Sequence, residues 1–146
     1  MTEKENLLPH FHLAFVVSDL EQTRRFYVET FGCTLGRESD IWIDFNFFGH
    51  QITAHLGDGK RQAEHANPVD GDQVPVPHFG VILPKAQWTQ LGEHIRERGI
   101  PFIIEPKIRF EGEPGEQGTF FLADPDGHAL EFKTFASHEK IFEKEK

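Results

Sequence analysis

Two histidines and one glutamate occupy places in this chain that could hold a metal. His12 and His78 each stand at the head of a short apolar run, "HLAFVV" and "HFGVIL". Glu131 sits inside a third run, "HALEFKTF", between Leu130 and Phe132. A carboxylate within a buried strand is costly unless something pairs with it, so Glu131 either faces water or is a ligand. Two neutral imidazoles and one carboxylate make up the facial set that binds non-haem Fe(II); the same donors suit Mn(II), Zn(II) and Ni(II). Three protein ligands leave positions open for substrate, water or O₂. The metal can then act as a Lewis acid that holds two substrate oxygens.

These residues must be positioned by strands. Alternate side chains of a strand point to opposite faces. His12, Ala14 and Val16 therefore oppose Leu13, Phe15 and Val17; His78, Gly80 and Ile82 oppose Phe79, Val81 and Leu83; Ala129, Glu131 and Lys133 oppose Leu130, Phe132 and Thr134. In "HQITAHL", Gln51, Thr53 and His55 share the face opposite Ile52, Ala54 and Leu56. Each strand keeps an apolar back for a helix, and His12, His78 and Glu131 all lie on the other face.

The element order repeats. After "HFHLAFVV" comes "SDLE", in which Ser18 and Glu21 have capping-box spacing, so a helix is expected there, with Leu20, Phe26, Tyr27 and Phe31 on its buried stripe and Gly32 at its end. Three short strands follow, around "CTLGRE", "IWIDFNF" and "HQITAHL". A Gly-, Pro- and charge-rich segment, 57–77, reads as a long loop or linker. The pattern then returns: a strand from His78, a helix over Lys85 to Arg98 with Trp88, Leu91 and Ile95 on one face, and strands "PFIIEP", "GTFFLAD" and "HALEFKTF". The expected fold is α+β, a single domain over 1–146 built of two βαβββ modules (8–56 and 78–135) joined by the 57–77 linker, with a frayed or short helical tail at 136–146. The modules should curl into an open cup-shaped mixed sheet with helices outside. Superposing them puts His12 on His78 and Thr53 on Glu131.

Composition narrows the function. A formal net charge of −9 argues against nucleic acid or an anionic membrane as partner. The lone Cys33 allows no internal disulfide, which points to a reducing cytoplasm. No stretch is apolar enough to span a membrane, and "MTEKENLLPH" does not read as a signal peptide.

The "H…V.DL…FY…FG" opening and the "DPDGH.LEF" close resemble the vicinal oxygen chelate superfamily, also called the glyoxalase/bleomycin resistance/dioxygenase family, over nearly the whole chain. The resemblance implies one divalent metal held by His12, His78 and Glu131, a small substrate that chelates through vicinal oxygens, and a homodimer. Metal-dependent glyoxalases of the family carry a fourth ligand where this chain has Thr53, a poor ligand; His55, two residues on and facing the same way, is the alternative or an acid/base group. Three ligands with open positions favour Fe(II) and extradiol-type oxygenation. Such enzymes also place a Tyr near the substrate, and the sole Tyr27 falls on the first helix. Glyoxalase-like lyase or isomerase activity is the alternative enzyme reading. Fosfomycin-resistance thiol transferases share the triad. Metal-free binding of a small molecule, as in bleomycin-resistance members, is the alternative of a different class.

Further candidates flank these. Arg109 could clamp an anionic substrate from a "RFEGEPGEQ" lid, with Glu111, Glu113 or Glu116 as base. His10 is read as surface or supporting, and His50 and His128 as turn residues. "DPDG" is turn chemistry that aims the last strand. Trp42, Phe45, Phe47 and Phe48 line or back the cup.

Overall fold

A computed structural model of the chain describes residues 8–58 and 65–144. The chain divides into two compact units, Met1–Arg61 and Gln62–Lys146. The fold is α+β, with two α-helices and ten strands among the described residues.

The first unit is one βαβββ module: β1 (His12–Val17), α1 (Leu20–Phe31), β2 (Thr34–Glu38), β3 (Trp42–Phe47) and β4 (His50–Leu56). Its sheet order is β1-β4-β3-β2, with β1 parallel to β4. The helix starts one residue later than the expected capping box. Asp19, not Ser18, is the N-cap, and its carboxylate accepts from the Gln22 backbone N–H at 2.9 Å. Gly32 ends it in the left-handed conformation at φ 71°. β3 and β4 are joined through Phe48 (φ 51°) and Gly49 (φ 87°), the two-residue turn whose twist matches a hairpin. The helix packs on one sheet face through Tyr27, which is fully buried and meets the rings of Phe15, Phe45 and Phe47. Burying such a ring contributes roughly 1.5–3 kcal/mol. Phe45 and Phe47 therefore back the sheet, while Trp42 lies on its other face.

The second unit repeats that module with β7 (His78–Ile82), α2 (Lys85–Glu97), β8 (Phe102–Arg109), β9 (Gln117–Ala123) and β10 (Ala129–Phe135), in the same order β7-β10-β9-β8. Trp88 anchors α2: its indole N–H donates to the Phe132 carbonyl at 2.9 Å, and its ring meets Phe120. The Asp124 carboxylate accepts from the Asp126 and His128 backbone N–H groups, the turn that delivers β10. Among the described residues the tail holds a short 3₁₀ turn at His138–Lys140.

One element departs from the sequence reading. The 57–77 segment is not a plain linker: it carries a hairpin, β5 (His65–Val69) and β6 (Asp72–Val76), turned by Asp70 (φ 44°) and Gly71 (φ 85°). This hairpin belongs to the second unit, so that unit begins well before His78. Pro68 and Pro75 mask the strands in the sequence. Both are compatible with a two-stranded ribbon, in which every strand is an edge.

Candidate functional site

Strand register confirms the duplication at the residue level. Ala14 pairs with Thr53 between β1 and β4, and Gly80 pairs with Glu131 between β7 and β10. His12 and His78 each precede those residues by two. Thr53 and Glu131 are thus true equivalents, as are His12 and His78.

In the second unit the structure brings His78 and Glu131 together. Nε2 of His78 lies 3.2 Å from Oε1 of Glu131. Each partner has its other polar atom committed. Nδ1–H of His78 donates to the Pro75 carbonyl at 2.6 Å, which puts the lone pair on Nε2 in the neutral ring. Thr119 Oγ1 donates to Oε2 of Glu131 at 2.5 Å. Phe121, opposite Glu131 on β9, stands edge-on to the His78 ring at 5.0 Å. Glu131 is largely buried, its side chain 14% exposed between fully buried Leu130 and Phe132. Its apolar neighbours face the helix side, so the strand keeps its back and carries Glu131, with Lys133 two residues on, on the front.

The pair is electrostatically coupled. The hydrogen bond to Glu131 raises the His78 pKa above the ordinary imidazole value, against the opposing effect of burial. For Glu131, burial pushes the pKa up, but the hydrogen bonds from His78 and Thr119 outweigh it and hold the carboxyl below its usual range. An imidazole nitrogen and a carboxylate oxygen that converge, each oriented by its other atom, suit a divalent metal in donor type and in supporting shell.

His12 lies on the exposed face of the first unit's sheet. Among the described residues no three His, Cys, Asp or Glu side chains gather at one point. Near His12 the first unit has a groove of about 590 Å³, lined by His10, His12, Asp44, Asn46, His50 and Gln51 among others. His50 does more than shape a turn: its Nδ1 accepts from the Phe11 backbone N–H at 3.0 Å, which pins the chain just before His12. His10 borders the same groove, its ring edge-on to His50. His55 is exposed and pairs with Val16, four residues along β1 from His12. Strand rise puts that separation at ~13 Å, too far for a fourth ligand to a metal at His12.

Sequence reading missed Asp44. It lies across from Thr53 on β3, and Thr53 Oγ1 donates to its Oδ1 at 2.7 Å. The equivalent of the family's fourth ligand therefore orients a carboxylate on the neighbouring strand. Alternation in "WIDFNF" puts Trp42, Asp44 and Asn46 on the open face, and that was the available signal.

Arg109 is not displayed on a lid. It ends β8 with its side chain 4% exposed; Nη2 lies 3.0 Å from Asp72, and Nη1 donates to the Val69 carbonyl at 2.7 Å. An anionic substrate would have to displace Asp72, so the clamp reading is corrected to a contact internal to the unit. Glu116 Oε1 accepts from the Gly112 backbone N–H and closes the 110–116 loop on itself. Tyr27 is core and offers no hydroxyl to either open face.

Comparison with known proteins gives consistent answers. The family model described as "Glyoxalase/Bleomycin resistance protein/Dioxygenase superfamily" matches residues 10–132. A crystal structure of a glyoxalase/bleomycin resistance protein/dioxygenase from Alicyclobacillus acidocaldarius is 35% identical, with 92% of this chain and 96% of that one covered and a TM-score of 0.77. The metallothiol transferase FosB of Lysinibacillus sphaericus is 24% identical, with coverage of 92% and 89%. The glutathione transferase FosA of Serratia marcescens is 24% identical, with coverage of 82% and 76%. The fosfomycin resistance protein FosX of Listeria monocytogenes shares the fold at a TM-score of 0.67 and 18% identity, with coverage of 92% and 98%. No helix among the described residues is long and apolar enough to cross a membrane.

Proposed function

We propose a function from one premise: the chain belongs to the Glyoxalase/Bleomycin resistance protein/Dioxygenase superfamily. On this reading it is a divalent-metal-dependent enzyme that acts on a small substrate chelating through vicinal oxygens. His78 and Glu131 hold the metal, and His12 completes the set that the family resemblance implies. The observation that carries the proposal is the oriented His78–Glu131 pair, whose Nε2 and Oε1 converge while Pro75 and Thr119 take the remaining polar atoms. A bound divalent ion supplies Lewis acidity to substrate oxygens.

The chain's own residues supply the rest. Lys133, two residues beyond Glu131 on the same face of β10, acts electrostatically on both members of the pair and favours an anionic substrate. Phe121, fully buried beside Val74 and Ile104, backs the His78 ring edge-on. Asp44, kept in place by Thr53, is a proton acceptor on the open face that carries His12. His55 is retained as a second acid/base candidate at the far end of that face.

The reaction favoured is addition or transfer of a nucleophile, a thiol in the first instance, to a metal-polarised oxygenated substrate. The two curated relatives are named as a metallothiol transferase and a glutathione transferase. Fe(II) extradiol oxygenation, with its three-ligand site, is the second reading, supported by Thr53 in the fourth position; burial of Tyr27 weighs against it. The protein acts as a homodimer on this proposal.

The test begins with protein purified without chelators. Elemental analysis and titration with Mn(II), Zn(II), Ni(II) and Fe(II) should give one metal per chain in wild type and loss of binding in Glu131→Ala and His78→Ala. Metal content far below one per chain, unaltered in Glu131→Ala, sinks the proposal. With metal bound, thiol consumption in the presence of fosfomycin, hemithioacetal turnover and oxygen uptake on catechols separate transferase, lyase and dioxygenase.

A further inference from the structure

We infer that the β5–β6 hairpin is a positioning arm that aims the metal-binding nitrogen of His78, fastened by a clasp of Asp72 with Lys107 and Arg109. The inference rests on the proposed metal role of His78 and names what controls that site.

His78 opens β7 immediately after the hairpin, with its side chain 28% exposed. A ring at the head of a strand has little to fix its rotation. Among the described residues its main-chain anchor is the Pro75 carbonyl, which belongs to β6. Where β6 lies therefore sets where Nε2 points. Metal-bound histidines depend on such partners of their other nitrogen for tautomer and orientation.

The hairpin cannot hold itself in place. Two strands paired only with each other are marginal in water, and β5 is exposed along its whole length. Among the described residues, a buried apolar contact and a set of polar contacts, including Lys107 Nζ to the Asp70 carbonyl at 3.4 Å, attach it to the main sheet of its unit. Val74 is buried against Ile104 and Phe121, the same Phe121 that stands edge-on to His78. The Asp72 carboxylate takes Lys107 Nζ at 3.0 Å and lies 3.0 Å from Arg109 Nη2. Arg109 Nη1 reaches the Val69 carbonyl on β5. Nη2 is at ion-pair distance from Asp72 without hydrogen-bond geometry, so Lys107 is the better-directed limb. One path of contacts thus runs from the clasp through β6 to Pro75 and on to His78. A solvent-facing salt bridge would contribute little, but this clasp joins a nearly buried guanidinium to the element whose carbonyl takes Nδ1 of the ring.

Calorimetric titration with Co(II), read together with the visible absorption of the Co(II)-loaded protein, tests the inference. Asp72→Asn should weaken Co(II) binding up to about 10-fold, the low end of the loss that follows removal of a direct ligand-orienting partner, and change the absorption envelope. Asp72→Glu should restore part of both. Lys107→Met, which removes the directed limb and leaves Asp72 with Arg109, should weaken binding severalfold in a protein of unchanged circular dichroism. It decides the matter if Asp72→Asn does not fold. His78→Ala is the control for the underlying reading. If it binds Co(II) as wild type does, the metal assignment itself fails. If it loses Co(II) while Asp72→Asn, or Lys107→Met where that variant decides, keeps wild-type affinity and spectrum, the metal reading stands and the positioning arm is overturned.

Discussion

Gly80 is the residue whose replacement should most directly disturb the site without substituting a proposed ligand. It pairs with Glu131 in the parallel register of β7 and β10. A methyl group on Gly80 would lie 2.7 Å from the Glu131 carbonyl carbon and 3.1 Å from its nitrogen, and would overlap its carbonyl oxygen. All three are backbone atoms, so no side chain can swing aside; β7 must move away from β10 by on the order of 1 Å to reach ordinary contact. Overpacking of this kind costs typically about 1–3 kcal/mol, against roughly 0.5–1 kcal/mol returned by the lower unfolded-state entropy of Ala. Gly80→Ala should therefore lose on the order of 1–2 kcal/mol and lower the urea midpoint by about 0.5–1 M, at a slope near 2 kcal/mol per molar. Gly92→Ala is the matched control. Gly92 lies inside α2, where a methyl would meet Phe120 at 3.6 Å and Pro106 at 3.8 Å, ordinary contact distances. Helix propensity then predicts a gain of up to about 1 kcal/mol. Because the backbone of Glu131 moves with Gly80, divalent-metal affinity should fall in Gly80→Ala and hold in Gly92→Ala. A Gly80→Ala midpoint at or above wild type, with metal binding intact, would refute the close-approach reasoning.

Three further outcomes follow from the same geometry. The raised His78 pKa gives a stabilising contribution that is complete below the ordinary imidazole value and lost as pH rises through the folded value; the lowered Glu131 pKa gives one present above the ordinary carboxylate range and lost as pH falls through the folded value. The metal-free pair should thus stabilise most in the weakly acidic window between them, whereas metal, which needs neutral His78, should bind about tenfold more tightly per pH unit up to the raised pKa; NMR titration of His78 and pH-dependent calorimetry read both. Asp44→Asn should lower turnover by roughly 10²-fold or more with metal affinity unchanged, while His55→Gln changes turnover little; the reverse ranking in steady-state kinetics would move the proton acceptor to His55. Cys33, 4% exposed with its thiol pushed by burial to about 12, should react with a disulfide reagent only at the rate of unfolding, as measured by absorbance in the native state and in urea.

The alternation of apolar and polar residues, read with the repeat, was enough to determine the two βαβββ modules, the face of its own strand on which each of His12, His78 and Glu131 lies, and the equivalence of Thr53 with Glu131. These depend on period-2 side-chain direction and on capping, which are local. Where local signals competed, the reading slipped by a residue or missed an element: Asp19 displaced Ser18 as the cap, and Pro68 and Pro75 concealed a hairpin that Asp70–Gly71 could have announced. What the tertiary structure alone decided is which residues complete each polar group. The pairing of Arg109 with Asp72 spans 37 positions of chain, and the contact of Thr53 with Asp44 depends on how β3 registers on β4. Orientation of the His78 imidazole rests on a carbonyl of the hairpin, in a segment whose Gly, Pro and charge content reads as linker. A side chain's type and face are written in its neighbours along the chain, but its hydrogen-bond partner is set by register and packing between strands. The difference between a displayed arginine and a buried one therefore became visible only in the folded sheet.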